Sequence, residues 1–282
     1  MTTTRIPGKR GRIKGKINGI PKVRHYSSRG PATRVPTYPV DETSGITDWQ
    51  MLGNGPDPTL TVNNGNPVGD CTFAGREHLK RAKAAWYKIV EAWETTNQLV
   101  TEYLVYNHGQ DIGANIPTLL LTWYRDGKIE GFGELDHTDA TEIDWAVQSF
   151  HGVYCGVDLT DDADQLFSDH QPWTISNGES PDPSDGHCIV KIGSTTDLDT
   201  YITWGALQTA TKGWTVSCLD EAYAIITAED AKASNINLTA LKADLDAFID
   251  EHGGAILPST PPVEAPTPLL ISRIVTWVRR VF

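Results

Sequence analysis

At 282 residues and 39% hydrophobic content, the chain can bury one sizeable core and still carry extra segments at either end. No stretch approaches the roughly 20 apolar residues that span a bilayer, and the N-terminus lacks the apolar run of a secretory signal. The net charge of −12 is unevenly spread: residues 1–34 hold ten Lys/Arg and no acid, which leaves 14 basic against 36 acidic residues elsewhere.

The chain therefore begins as a basic arm on an acidic body. Rich in Gly and Pro and poor in apolar residues, the arm is expected to be mobile when free. Three roles are open to it: a nucleic-acid or phosphate-binding tail, a strap on an acidic neighbouring subunit, or an extension that docks on its own acidic body. Residues 35–65 are rich in Pro, Asn and Gly and read as loop, with Trp49, Met51 and Leu52 as anchors.

At residues 66–75, Asn-Pro-Val-Gly-Asp-Cys-Thr-Phe-Ala-Gly, the loop gives way to a helical pattern. Phe73, Leu79, Ala82, Trp86, Ile89, Val90 and Trp93 return at spacings of three and four, predicting a helix from Cys71 to about Thr95. Cys71 thus opens a helix, where free N–H groups and the helix dipole favour a thiolate. Asp70 works against that charge unless it caps the helix instead. His78 lies about two turns further on and is read as a surface or packing residue.

A second helical stretch follows near residues 97–109, and Asn115-Ile-Pro117 starts a third, stopped by Asp126-Gly127. Residues 139–150 form an amphipathic helix closed by Gly152, and residues 153–157 a short strand. The runs at 185–193 and 200–205 read as two strands joined by the polar turn 194–199, with His187 opening the first. Cys188, next to it, points to the opposite face and suits a core. Beyond residue 226 the body is expected to end. Asn237 caps a helix with the stripe Leu238, Leu241, Leu245, Phe248 and Ile249, stopped at Gly253-Gly254. A Pro-rich linker, 255–268, leads to an amphipathic basic tail, 269–282, suited to a membrane surface or a partner groove.

Helices first and strands later predict an α+β architecture. The four cysteines, Cys71, Cys155, Cys188 and Cys218, show no metal or disulfide spacing, and His108, His137, His151 and His170 no ligand spacing, so they are read as plain surface groups. The Trp residues 86, 93, 123, 145, 173 and 214 are read as core. A thiolate on a helix start and an imidazole on a strand start make the ion pair of covalent acyl transfer.

The order Gly-x-Cys-Thr-x-Ala opening a helix, Gly186-His187-Cys188 with apolar residues on a strand, and Trp204-Gly205 seventeen positions after His187 resembles the papain-like cysteine peptidases. More closely it resembles papain-like proteins of actinobacterial bacteriophages; the resemblance covers residues 63–226. It implies a helical subdomain carrying the Cys helix packed on an antiparallel β subdomain carrying the His. Residues 1–62 then form the arm and a surface-crossing loop, and 227–254 a C-terminal helix. It also implies Cys71 as nucleophile, His187 as base and then acid, and Trp204 as a shield for the imidazole.

Two positions depart from the family's pattern. Its oxyanion Gln is absent; Asn64 and Asn66 are the nearest amides, beside Gly65. Its imidazole-orienting Asn is replaced by Ile202, which leaves open Thr203 or Gln208 as substitutes, a bare Cys–His dyad, or lost turnover. Two functions follow. One is a thiol hydrolase acting on peptide or amide bonds of a peptide or protein substrate, with no cofactor or metal. The other is a virion or assembly component whose arm and tail bind neighbouring subunits, the arm also suiting nucleic acid. Either would reside in host cytoplasm or virion.

Overall fold

The computed structural model describes residues 9–26, 68–87, 94–176 and 179–256. Its elements divide into a helical part and one antiparallel sheet, the α+β arrangement expected. The helical part is built from α1 (Cys71–Tyr87), α2 (Thr96–Tyr106) and α3 (Ile116–Arg125). Local chemistry sets their starts. Thr95 and Gln98 form a reciprocal capping box on α2, and the Asn115 side chain accepts from Thr118 N–H at 3.0 Å to begin α3. The Phe73 ring meets Tyr103 and Trp123 edge-on at 5.6 and 5.4 Å, tying the three helices into one apolar centre.

The sheet comprises β3 (Gly131–Leu135), β4 (Val153–Asp158), β5 (Gly186–Ser194), β6 (Leu198–Thr203), β7 (Ala206–Thr211) and β8 (Leu219–Ile226). Its strand order is β3-β8-β4-β5-β6-β7, and each neighbouring pair is antiparallel. Four shorter or peripheral helices, α4 (Ala140–Phe150), α5 (Ala163–Ser168), α6 (Lys212–Cys218) and α7 (Ala228–Ser234), pack around it, with Asp139 capping α4 through Thr141 and Glu142 N–H groups. α1 lies against β5, so the helix that begins with Cys71 crosses the strand that begins beside His187. Their approach is close: a Cβ on Gly75 would stand 3.0 Å from the Tyr154 ring and 3.1 Å from Cys188 Sγ.

Enclosure on several sides explains why polar residues of α1 are buried. Arg76 is held by Glu94 and Glu102 and lies 4.6 Å over the Trp123 ring; Lys83 is bonded to Asp230 and to the Ile225 carbonyl. His78 is likewise buried, at 3% exposure, a packing residue and not a surface one.

Several expectations are corrected. Part of the arm packs instead of floating: Arg12–Ile13 forms strand β1, paired in parallel with β2 (Ala114–Asn115), and Ile20 and Val23 enter the core. Two buried aliphatic side chains, each contributing about 1.5–3 kcal/mol, suffice to anchor so short a segment. The body does not end at Ile226. Helix α8 (Leu238–Ile256), begun by the Asn237 side chain accepting from Ala240 N–H, buries Leu241 and Leu245 and lays Leu238 over Gly131 of β3. It also runs through Gly253-Gly254 instead of stopping there, since glycine weakens a helix by only about 1 kcal/mol per residue.

Trp86 is 47% exposed and stacks on His151 at 4.2 Å, so it is not core; His151, half-buried in that stack, is not a plain surface group. His151, at φ 56°, also takes the left-handed position that ends α4, the role assigned to Gly152. Thr95, the predicted end of the first helix, is extended (φ −80°, ψ 161°) and caps α2 instead, and residues 255–256, assigned to the linker, continue α8. Trp49, Met51, Leu52, Trp93, the rest of the linker and the tail lie outside the described residues. Among the described residues no helix is long and apolar enough to cross a membrane, and no cluster of His, Cys, Asp or Glu could hold a metal ion.

Candidate active site

Cys71 is the first residue of α1, and the Asp70 carbonyl ahead of it accepts from Phe73 and Ala74 N–H groups at 2.9 and 3.0 Å. The Cys188 and Gly11 backbones both lie near enough to the sulfur to favour its ionised form. The first places it against β5, one residue from His187. The second comes from the arm.

The imidazole is held from two directions. Nε2 lies 2.7 Å from Thr203 Oγ1, and the Trp204 ring stacks on His187 at 4.8 Å with a 26° tilt. Thr203 therefore takes the orienting position that Ile202, paired with Val190 and Leu207 in the sheet, does not fill. Gln208 does not reach the ring; its amide donates to the Gln171 and Thr209 carbonyls. A hydroxyl both donates and accepts, so Thr203 fixes the ring's direction without choosing its tautomer. Trp204 adopts φ 46°, and the turn it shares with Gly205 at φ 69° swings the indole from the strand end over the imidazole. His187 Nδ1 is buried without a hydrogen-bond partner, so the ring presents one nitrogen uncommitted and no bond joins it to Cys71 Sγ in this state. Asn64 and Asn66, the oxyanion candidates, lie outside the described residues.

The arm crosses this site. A Cβ on Gly11 would stand 1.6 Å from the Gly69 carbonyl oxygen, and a Cβ on Gly113 would stand 2.4 Å from the Gly11 oxygen, so the crossing point admits backbone alone. Ala114 N–H holds the Gly11 carbonyl at 2.7 Å. Gly11 thus lies beside the sulfur while its carbonyl is engaged by Ala114.

The two flanking arginines are clamped by acids. Arg10 pairs with Asp185, Nε lying 2.7 Å from its carboxylate, and donates from Nη1 and Nη2 to Asp164 at 3.1 and 2.8 Å, with its guanidinium 5.5 Å from the Trp204 ring centre. Arg12, whose side chain is wholly buried, donates to Asp158 at 2.6 Å, Glu221 at 2.7 Å and Asp220 at 2.9 Å. Burial pushes both Asp220 and Glu221 upward. The hydrogen bond and charge of Arg12 outweigh burial at Asp220, which ends below its ordinary value, whereas Glu221, more enclosed, ends above it. Lys9 and Lys14 add bonds to Asp111 and Asp158.

Enclosure sets the charge state of the pair. Burial pushes the Cys71 thiol up to about 12, further raised by Asp70 and only partly offset by the Cys188 and Gly11 backbones and Arg12. Burial drives the His187 imidazolium well below its usual range, and Arg10, Arg12 and His78 push it the same way. With the arm seated, both the thiol and the imidazole are neutral.

Sequence reading named Cys71, His187 and Trp204 for the site, with Thr203 as one of two candidate substitutes for the orienting Asn, but it left the arm's destination open among three. The acids that receive it, Asp158, Asp164, Asp185, Asp220 and Glu221, are spread over 64 positions of sequence. The one available signal was the opposite charge of arm and body.

No protein-family model and no curated protein matches the chain. Among solved structures it is similar to xylellain, a cysteine protease from Xylella fastidiosa, at 11% identity and a TM-score of 0.47, covering 80% of this chain and 99% of that one. It is also similar to a recombinant stem bromelain precursor, at 14% identity and a TM-score of 0.34, covering 72% of this chain and 78% of the other. A third similar structure is digestive procathepsin L 3 of Tenebrio molitor larval midgut, at 13% identity and a TM-score of 0.31, covering 79% and 76%.

Proposed function

We propose that the chain is a papain-like thiol hydrolase that cleaves peptide or amide bonds through Cys71 and His187. The observation that carries the reading is the His187 ring: tethered at Nε2 by Thr203, covered by Trp204, with Nδ1 uncommitted, on the strand whose next residue, Cys188, lies beside the Cys71 sulfur.

In the proposed reaction, His187 Nδ1 takes the thiol proton as Sγ attacks the substrate carbonyl carbon, forming a C–S bond. The Cys71 backbone N–H, together with Asn64 or Asn66, donates to the oxyanion. The C–N bond then breaks, and the imidazolium passes its proton to the departing amine. Water, deprotonated by His187, attacks the thioester; the C–O bond forms, the C–S bond breaks and the thiol is restored. Thr203 acts as a positioning residue, and Trp204 keeps water from the ring. Because Gly11 lies on the sulfur, a substrate has to displace the arm first.

An acyl-type thiol probe tests the reading on the full chain, with the modified cysteine located by mass spectrometry. Labelling at Cys71 that His187→Ala abolishes is the expected result. Equal labelling of Cys71 with and without the imidazole would overturn it.

A further inference from the structure

We infer that the cleft recognises peptides in which a glycine is flanked by two arginines, and that residues 10–12 of the chain itself occupy these subsites in the closed state. This inference rests on the hydrolase reading only for what happens to the peptide, not for its binding.

Three independent features select such a sequence. The narrowest point, between Gly69 and Gly113, excludes any side chain, as the 1.6 Å approach of a Gly11 Cβ to the Gly69 oxygen shows. On one side, Asp164, Asp185 and the Trp204 face form a half-open seat for a guanidinium. On the other, Asp158, Asp220 and Glu221 form a closed one, in which Arg12 makes bonds to all three acids. A lysine ammonium could not reach the same three carboxylates in that planar fan. The backbone is held as well: between the seats Ala114 N–H donates to the glycine carbonyl, and beyond the second seat the Asn115 side-chain amide donates to the carbonyls of Ile13 and Gly15 at 3.3 and 2.9 Å.

The arm survives in this seat because of how it lies. Its glycine carbonyl oxygen is held by Ala114 N–H at 2.7 Å, so the resident carbonyl is tied to the neighbouring strand and not presented to an oxyanion donor for attack. A peptide arriving from another molecule carries the same three recognition elements and can sit with its glycine carbonyl over Sγ. The class of ligand is therefore a basic, Arg-Gly-Arg-type segment of a peptide or protein.

The test uses the full chain carrying Arg10→Glu and Arg12→Glu, which unseats the arm, with Cys71→Ala added so that binding is read without turnover. A fluorescent peptide of sequence Lys-Arg-Gly-Arg-Ile-Lys is titrated by anisotropy against versions with Ala for Gly, Lys for the second Arg, or Glu for either Arg. The expected result is saturable binding, weakened at least about tenfold by each change. Equal affinity for the Gly and Ala peptides, or none for either, would overturn the inference. Should the double variant fail a circular-dichroism check of folding, Arg10→Ala with Arg12→Ala, which empties both seats without adding charge, replaces it with the same outcomes. With Cys71 restored, selective binding without cleavage upholds the cleft's preference and removes the hydrolase reading. Cleavage of peptides regardless of Gly or Arg does the reverse.

Discussion

Thr203 Oγ1 stands 2.7 Å from His187 Nε2, and that single hydroxyl holds an imidazole whose other nitrogen has no partner. Thr203→Val keeps the shape and removes the bond. It leaves Nε2 buried and unpaired, at a cost of about 1–3 kcal/mol of stability. The expected rate of Cys71 acylation in an arm-displaced chain falls on the order of a hundredfold, while Thr203→Ser restores most of it. A Val variant as fast as the parent would show that Trp204 alone holds the ring.

The closed state makes a prediction about pH. With the thiol pushed up to about 12, alkylation of Cys71 in the unaltered chain is expected to be slow at neutral pH and to climb as pH rises toward that value. A variant with Arg10 and Arg12 reversed loses much of the burial and gains its rate at lower pH. The sign for stability follows from the same shift. A thiol raised in the folded state favours folding below its unfolded value, and that contribution is lost as pH rises through about 12. Parallel alkylation profiles for the two chains would contradict a role for the arm in setting the thiol.

His151 gives the acid side. Burial lowers its imidazolium to about 4, with Asp230 opposing and Lys83 assisting. A depressed group contributes stability above its unfolded value near 6.5, and loses it as pH falls through about 4. The melting temperature should therefore decline across that window, and His151→Asn, which tolerates the left-handed backbone, should make the decline shallower. An unchanged slope would place the acid sensitivity elsewhere, with the more deeply buried His187 next in line.

Lys83 and Asp230 are both buried, and Asp230 also receives Tyr87 Oη and Thr227 N–H. Lys83→Ala strands a buried carboxylate, and about 3 kcal/mol of stability should be lost, read by urea denaturation. Because two neutral donors remain on Asp230, a loss well under 1 kcal/mol would mean that they satisfy it alone.

What the sequence by itself determined is local. The helix beginning at Cys71, the Asn115 and Asp139 caps, and the strands at His187 and Tyr201 follow from periodicity and from side chains acting within a few positions. The resemblance carried the Cys–His–Trp set because its spacings are themselves sequence. What only the tertiary structure decided is everything that depends on where distant charges meet. Thr203 Oγ1 meets His187 Nε2, and Trp204 turns left-handed beside it, a backbone choice no spacing encodes. His78 and Lys83 are buried because α1 is walled in on several sides, although its sequence shows the mixed polarity of a surface helix. The basic arm, composed like a floating tail, is ordered because five acids from β4, α5, β8 and the residue before β5 converge on Arg10 and Arg12, and because Gly11, Gly69 and Gly113 allow close backbone approach. Composition counts charges and glycines; only the folded chain brings them to the same few ångströms.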